Sequence, residues 1–184
     1  KPLAILNLGG VANVTWLGDT GLSLAFDTGP ANALIDDWMY RREGIAYDPD
    51  GQWAAKGVSR TDFVAAWLND DYFSRRPPKS LDRDFFKLEP LTGLSTEDGA
   101  ATLTEFTVKS IQAATQFFPS APLRWLVTGG GRKNTTIMQS LSSTLKSPFA
   151  SVETLGWNGD VLEAEAFAYL ALRSKHKMPI SWPS

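Results

Sequence analysis

The chain has 184 residues, 43% of them hydrophobic and 21% charged, with no cysteine and a formal net charge of −2 at pH 7. That length can bury a real core and fits one domain, or one domain carrying an insertion. The composition excludes disulfides, thiolate zinc sites and cysteine nucleophiles, disfavours a polyanionic partner such as nucleic acid, and offers no apolar run of the roughly 18 residues a membrane-spanning helix needs.

Lys1 enters a strand almost at once without a preceding methionine, which points to a piece of a longer protein. Three short apolar runs follow: Leu3 to Leu8, Val11 to Leu17 and Leu22 to Phe26. Gly9-Gly10 and Gly18-Asp19-Thr20-Gly21 separate them, so they read as strands joined by tight hairpins. The third strand is expected to end on Asp27, ahead of Thr28-Gly29-Pro30 and a helix from Ala31 to Arg42. In that helix Ala31, Leu34, Ile35, Trp38 and Met39 keep helical spacing, while Asp36 and Asp37 suit the dipole of its early turns.

Residues 43–95 read as an insertion within one nucleotide-binding domain spanning 1–184. Tyr47-Asp48-Pro49-Asp50-Gly51 is a turn cluster, and short helices are expected at Gln52 to Ala55 and Thr61 to Leu68, the latter capped by Thr61 or Ser59. Trp53, Phe63, Trp67, Tyr72, Phe73, Phe85 and Phe86 supply too much apolar area for a disordered tether. Arg75, Arg76, Lys79 and Arg83 read as a solvated surface, with an anion contact as the alternative. A long helix is expected from Thr96 to Phe117, then a buried strand over Leu123 to Val127 running into Thr128-Gly129-Gly130-Gly131. A helix over Thr135 to Leu145, a brief strand at Phe149 to Glu153 and a last helix over Val161 to Arg173, capped by Asn158 or Asp160, complete the order, with a frayed tail from Lys175 to Ser184. This β-β-β-α-β-α-β-α order predicts a mixed α/β sheet with helices on both faces and a ligand outside the carboxyl ends of the strands.

Two features carry chemistry. The Gly129 turn, between a strand and a helix, lets a flat ring or phosphate approach bare main chain. It matches neither the phosphate loop nor the dinucleotide pattern of glycines. Asp27-Thr28-Gly29 places a carboxylate beside a glycine turn and a helix amino terminus whose free N–H groups suit an anion, and the Gly9-Gly10 hairpin adds further N–H groups. Together they favour a metal–phosphate site in which the carboxylate holds Mg2+ largely through water. Of Glu163 and Glu165, one belongs to a solvated helix face and the other is available to a ligand. His176, the only histidine, sits in the tail and supports no Ser-His-Asp arrangement.

The segments N-L-G-G-V-A-N-V-T, F-D-T-G-P-A-N-A-L-I-D, Y-D-x-x-G-x-x-A-x-x-G, P-P-K-S-x-x-R-D-x-F, V-T-G-G-G-R-K-N and L-E-A-E-A-F-A-Y-L-A together resemble the anhydro-N-acetylmuramic acid kinase family of the sugar kinase/actin superfamily. The resemblance runs through nearly the whole chain and corresponds to the carboxyl-terminal half of such an enzyme. It implies a ribonuclease-H-like/actin-like ATPase fold and a cytoplasmic kinase of peptidoglycan recycling that uses ATP and Mg2+. Such an enzyme opens the 1,6-anhydro ring of its amino sugar with water while phosphorylating O6; a homodimer is a compatible assembly, and neither nucleic acid nor membrane is a partner. It further implies phosphate contacts from Gly9, Gly10, Asn13 and Gly29, metal binding by Asp27, adenosine contacts from Gly129, Gly130 and Asn134, and a sugar contact from Glu163. Ala31 stands where the family usually has glycine, and a methyl group there could crowd the backbone. The family's first phosphate loop and its general base precede the matching segment, so no catalytic residue is expected in this chain and the chain alone is expected to be inactive. Two other classes remain open: an actin- or chaperone-like ATPase switch, and a non-catalytic interaction module using the aromatic-rich insertion.

Overall fold

The computed structural model describes residues 1–19 and 21–181; Thr20 of the second hairpin and the end of the tail, 182–184, lie outside the described residues. Strands β1 (Leu3–Leu8), β2 (Val11–Leu17) and β3 (Ser23–Pro30) form an antiparallel meander. The chain then leaves the sheet through helices α1 (Asn32–Glu43), α2 (Thr61–Leu68), α3 (Asp71–Ser74) and α4 (Thr96–Ala114). It returns as β4 (Arg124–Thr128), parallel to β1, followed by α5 (Thr135–Leu145), β5 (Phe149–Ser151) and α6 (Leu162–Lys175). The sheet order is β3-β2-β1-β4-β5, the mixed sheet flanked by helices that the element order predicts.

Period-two alternation decides which sheet face is covered. Ala4, Leu6, Leu8, Ala12, Val14, Phe26 and Thr28 are buried, whereas their neighbours Ile5, Asn7, Val11, Asn13, Thr15 and Asp27 stay half-buried. Helix α4 lies along β3 and packs against α1, α2 and α5. Ser95 caps α4 by accepting the Asp98 N–H at 3.0 Å. Its apolar side (Leu103, Phe106, Ile111, Ala114) is fully buried.

The stretch between α1 and α4 is ordered by its aromatic residues. Phe106 of α4 meets Trp67 at 4.8 Å, Phe86 at 5.0 Å and Phe73 at 5.8 Å between ring centres. Lys79 departs from the expected solvated surface: it is buried, its ammonium standing 4.4 Å from the Tyr72 ring and 4.7 Å from that of Phe117, and it donates to the Tyr72 carbonyl at 2.8 Å. Burial, with some repulsion from Arg75, pulls its pKa down to about 8. Arg83 does lie at the surface and pairs with Asp37 at 2.9 Å.

Local boundaries differ in instructive ways. Strand β3 continues to Pro30, so Asp27 lies within the strand and not at its end. The caps expected from Thr61 or Ser59 and from Asn158 or Asp160 are not formed: α2 and α6 are preceded by Arg60 and Val161, without side-chain capping bonds. Helix α6 buries no side chain; Phe167, Tyr169 and Leu172 are exposed.

Phe106 is fully buried among three other rings, so Phe106→Ala should lower unfolding free energy by about 3–5 kcal/mol, measured by urea titration. A loss below about 1 kcal/mol would mean that the aromatic stretch is not part of the same core.

Candidate nucleotide-binding site

Because β1 and β4 are parallel with Asn7 beside Thr128, the bends that follow them emerge at one end of the sheet. Gly9-Gly10 leaves β1, and Gly129-Gly130-Gly131 leaves β4. Gly129 has a φ of 81°, the left-handed region that favours glycine, and a Cβ there would collide with Asn7 Oδ1 and the Leu8 carbonyl. A Cβ on Gly131 would stand 2.8 Å from Leu8 Cβ and 2.9 Å from the Asn32 amide. Gly130 differs, since a Cβ there meets nothing within 4 Å. Two of the three glycines are therefore required by close packing against β1, and the third faces open space.

The amino end of α1 is not a free anion site. Its Ala31, Asn32 and Ala33 N–H groups donate to the Gly10, Gly9 and Gly10 carbonyls at 3.0, 3.1 and 3.1 Å. The hairpin thus caps the helix, and the groups it leaves to a ligand are its own amides: the Gly9 and Gly10 N–H groups donate to no turn or loop carbonyl among the described residues. Asn32 ties the junction together by donating to the Leu8 carbonyl at 2.9 Å. Ala31 buries its methyl group in the core at 1% exposure.

Asp27 sits across from Asn13, which in turn faces Asn7, so the three side chains form a polar row on the half-buried sheet face. The Ala12/Asn13 irregularity in the register falls at this row. Helix α3 and the segment after Pro78 fix Asp27 on three sides. Oδ2 accepts the Leu81 N–H at 2.8 Å, the Asp27 N–H donates to the Lys79 carbonyl at 3.2 Å, and the Tyr72 hydroxyl donates to the Asp27 carbonyl at 2.6 Å. The other carboxylate oxygen takes no hydrogen bond among the described residues, nor do three or more His, Asp or Glu side chains converge there. A carboxylate with one oxygen tied and one open suits a cation that keeps most of its water and takes its other ligands from phosphate, as Mg2+ does.

Gly29 is buried with its open side against α4, where a Cβ would fall 2.5 Å from Ser110 Oγ; helix packing accounts for this glycine. Asn134 caps α5, its Oδ1 accepting the Ile137 N–H at 3.0 Å. Glu163 lies in the first turn of the exposed α6, three residues after Asp160, which pairs with Arg132 and Lys133 of the connection that follows Gly129.

Between α1, the Tyr47–Asp50 turn and the Gly130–Asn134 connection lies a cavity of about 470 Å3, within the range of small-molecule sites. Gly130 and Asn134, both expected to contact adenosine, line it, together with three acidic positions, Asp36, Asp48 and Asp50, that the sequence reading gave no ligand role. The Asp36-Asp37 pair looked like dipole complementarity, and the turn cluster looked like punctuation. Burial, with repulsion from Asp37, pushes the Asp36 carboxyl up to about 6, against a smaller opposing effect of Arg83. Arg132 anchors the far side: nearly buried, it donates to Glu153 at 2.7 Å, to Asp160 at 2.9 Å and to the Gly129 carbonyl at 2.9 Å. Its hydrogen bond draws the Glu153 carboxyl down to about 2.

A profile of the anhydro-N-acetylmuramic acid kinase family matches residues 1–184. The anhydro-N-acetylmuramic acid kinase of Rhodospirillum rubrum is 54% identical over 185 residues, covering 100% of this chain and 49% of that protein. Its counterpart from Paramagnetospirillum magneticum is 54% identical over 99% of this chain and 52% of that protein. The chain therefore spans about half the length of the curated relatives it matches. Among solved structures, the activator of 2-hydroxyisocaproyl-CoA dehydratase from Clostridium difficile, with bound ADPNP, superposes with a TM-score of 0.52 at 14% identity, over 82% of this chain and 54% of that one. That likeness is one of fold, a mixed sheet flanked by helices.

Asp36 supplies a test of the cavity's electrostatics. Between the ordinary aspartate value near 4 and the raised value of about 6, the folded chain binds more protons than the unfolded chain, so stability falls as pH rises through that window. Asp36→Asn should be more stable than the wild type above pH 6 by on the order of 1 kcal/mol, after solvent screening, with the gap closing below about pH 4. Urea titrations across that range measure it, and a gap independent of pH would contradict the assignment.

Proposed function

The chain belongs to the anhydro-N-acetylmuramic acid kinase family, and we propose that it is the nucleotide-binding portion of an ATP- and Mg2+-dependent sugar kinase. The complete enzyme opens the 1,6-anhydro ring of anhydro-N-acetylmuramic acid with water and phosphorylates O6, giving N-acetylmuramic acid 6-phosphate in cytoplasmic cell-wall recycling. The observation that carries this reading is the meeting of the Gly9–Gly10 and Gly129–Gly131 bends at one sheet end, beside a nucleotide-sized cavity.

Phosphoryl transfer asks a protein chiefly for positioning and for neutralisation of negative charge. In this reading the amides of Gly9 and Gly10, with the Asn13 side chain, face the terminal phosphates from the hairpin. Gly29 contributes through its packing against α4, which brings the end of β3 close beneath the phosphates. Asp27, steadied through Leu81 and Tyr72, holds Mg2+ through water; when bound, the ion neutralises phosphate charge. Gly130 lets the nucleotide lie against bare main chain, while Gly129 and Asn134 fix the two ends of that turn. Glu163, in the first turn of α6, is assigned the sugar contact. The general base that activates water belongs to the remainder of the full-length enzyme, so this chain alone binds nucleotide without turnover.

Calorimetry on the 184-residue chain should detect ADP binding in the presence of Mg2+. Gly130→Val, which places a branched side chain in the open space of the cavity, should weaken that binding at least about tenfold. Unchanged affinity would refute the placement. In the intact kinase, Asp27→Asn should lower kcat by about a hundredfold or more. A near wild-type rate in Mg2+ would remove Asp27 from the metal site.

A further inference from the structure

The walls of the cavity have been largely claimed by the fold itself. Asp48 accepts the Trp53 and Ala54 N–H groups, both at 3.0 Å. Asn134 caps α5, Asn32 donates to Leu8, and Lys133 pairs with Asp160 at 2.8 Å. Asp37, next to the cavity, is engaged by Arg83 from the stretch after α3. Asp36 stands apart. It is half-buried, lines the cavity, and accepts no hydrogen bond among the described residues. Asp50 and Tyr47, the other unengaged polar side chains on the wall, are partly or largely exposed at the mouth.

We propose that Asp36 is the specificity-determining residue of this cavity and binds the ribose hydroxyls of the nucleotide. This rests on the nucleotide reading above and deepens it. Position along α1 supports the assignment. Asn32, tied to the end of β1 and packed on Gly131, marks the phosphate end of the cavity. Asp36 follows one helical turn later, about 6 Å along the axis. A carboxylate placed at the phosphates would repel them, whereas one displaced by a turn reaches the sugar, the next moiety of a nucleoside diphosphate. Chemistry agrees with position: an ionised carboxylate only accepts hydrogen bonds, and vicinal hydroxyls offer two donors to its two oxygens. The cost of keeping an unpartnered carboxylate half-buried is then offset when the ligand arrives.

The test is calorimetry of the 184-residue chain with Mg2+ and either ADP, 2′-deoxy-ADP or 3′-deoxy-ADP. The wild type should bind ADP about tenfold more tightly than either deoxy analogue. Asp36→Ala should lose about tenfold in ADP affinity and bind all three nucleotides within about twofold of one another. Asp36→Asn, which keeps the shape of the side chain, guards against misfolding as the cause and should show an intermediate loss, with thermal unfolding confirming that both variants fold. Equal binding of ADP and the deoxy analogues by the wild type overturns the proposal, as does discrimination that survives Asp36→Ala. If Asp36→Ala instead weakens ADP but not IDP, the carboxylate reads the base amine and the ribose assignment is wrong. Failure of the wild type to bind ADP at all strikes the nucleotide reading itself, and this inference with it.

Discussion

The parallel pairing of β1 with β4 is the constraint on which the candidate site depends. A crossover through α1 and α4 must bring the chain back beside β1 in the same direction, which places the carboxyl ends of both strands together. The approach is so close that Gly129 rests against Asn7 and Leu8, and Gly131 against Leu8 and Asn32. Bare main chain is therefore demanded by packing before any ligand is considered. The same packing leaves Gly130 facing outward, so the open surface there is a by-product of how tightly the turn is drawn onto β1.

A second constraint runs through the stretch between α1 and α4. It contributes aromatic rings to the core, but its other consequence is local: residues 79–81 lie beside β3 and take both the backbone and the carboxylate of Asp27. Lys79 pins this segment. A buried ammonium with rings and a carbonyl as its partners, rather than a carboxylate, leaves Asp27 without an ion pair among the described residues. That preserves the carboxylate for a ligand, which a direct Lys–Asp pair would not.

Most elements were legible because their periodicity is strong. Helix α5 coincides with its expected span, and β1 and β2 follow directly from apolar runs bounded by glycine. The misreadings share a cause. Sequence shows residue types but not which partner claims each hydrogen-bonding group. The amino end of α1 looked open, yet the hairpin carbonyls occupy it; Lys79 looked solvated because its neighbours are basic and proline, yet Tyr72 and Phe117 enclose it. The glycines at 29 and 131 also answer to packing that sequence does not display, against Ser110 and Asn32. Asp36 escaped notice for the converse reason: an acid in an early helical turn has an ordinary explanation, and only the cavity beside it removes that explanation.

Three ionisable groups withdrawn from water separate architecture from function. Arg132 is nearly buried but satisfied by two carboxylates and a carbonyl, and it locks the glycine turn to the segment leading into α6. Lys79 is buried and satisfied by aromatic faces and a carbonyl. Each is complete within the folded chain, so each serves the fold. Asp36 is incomplete: the chain half-buries it and, among the described residues, supplies no donor. Burial of a polar group without a partner is unfavourable, and its nearest neighbour carries the same charge. An arrangement of that kind lowers the stability of the empty protein while favouring any ligand that brings donors. Among these groups, the one the fold leaves unsatisfied is the one at which a ligand contributes most.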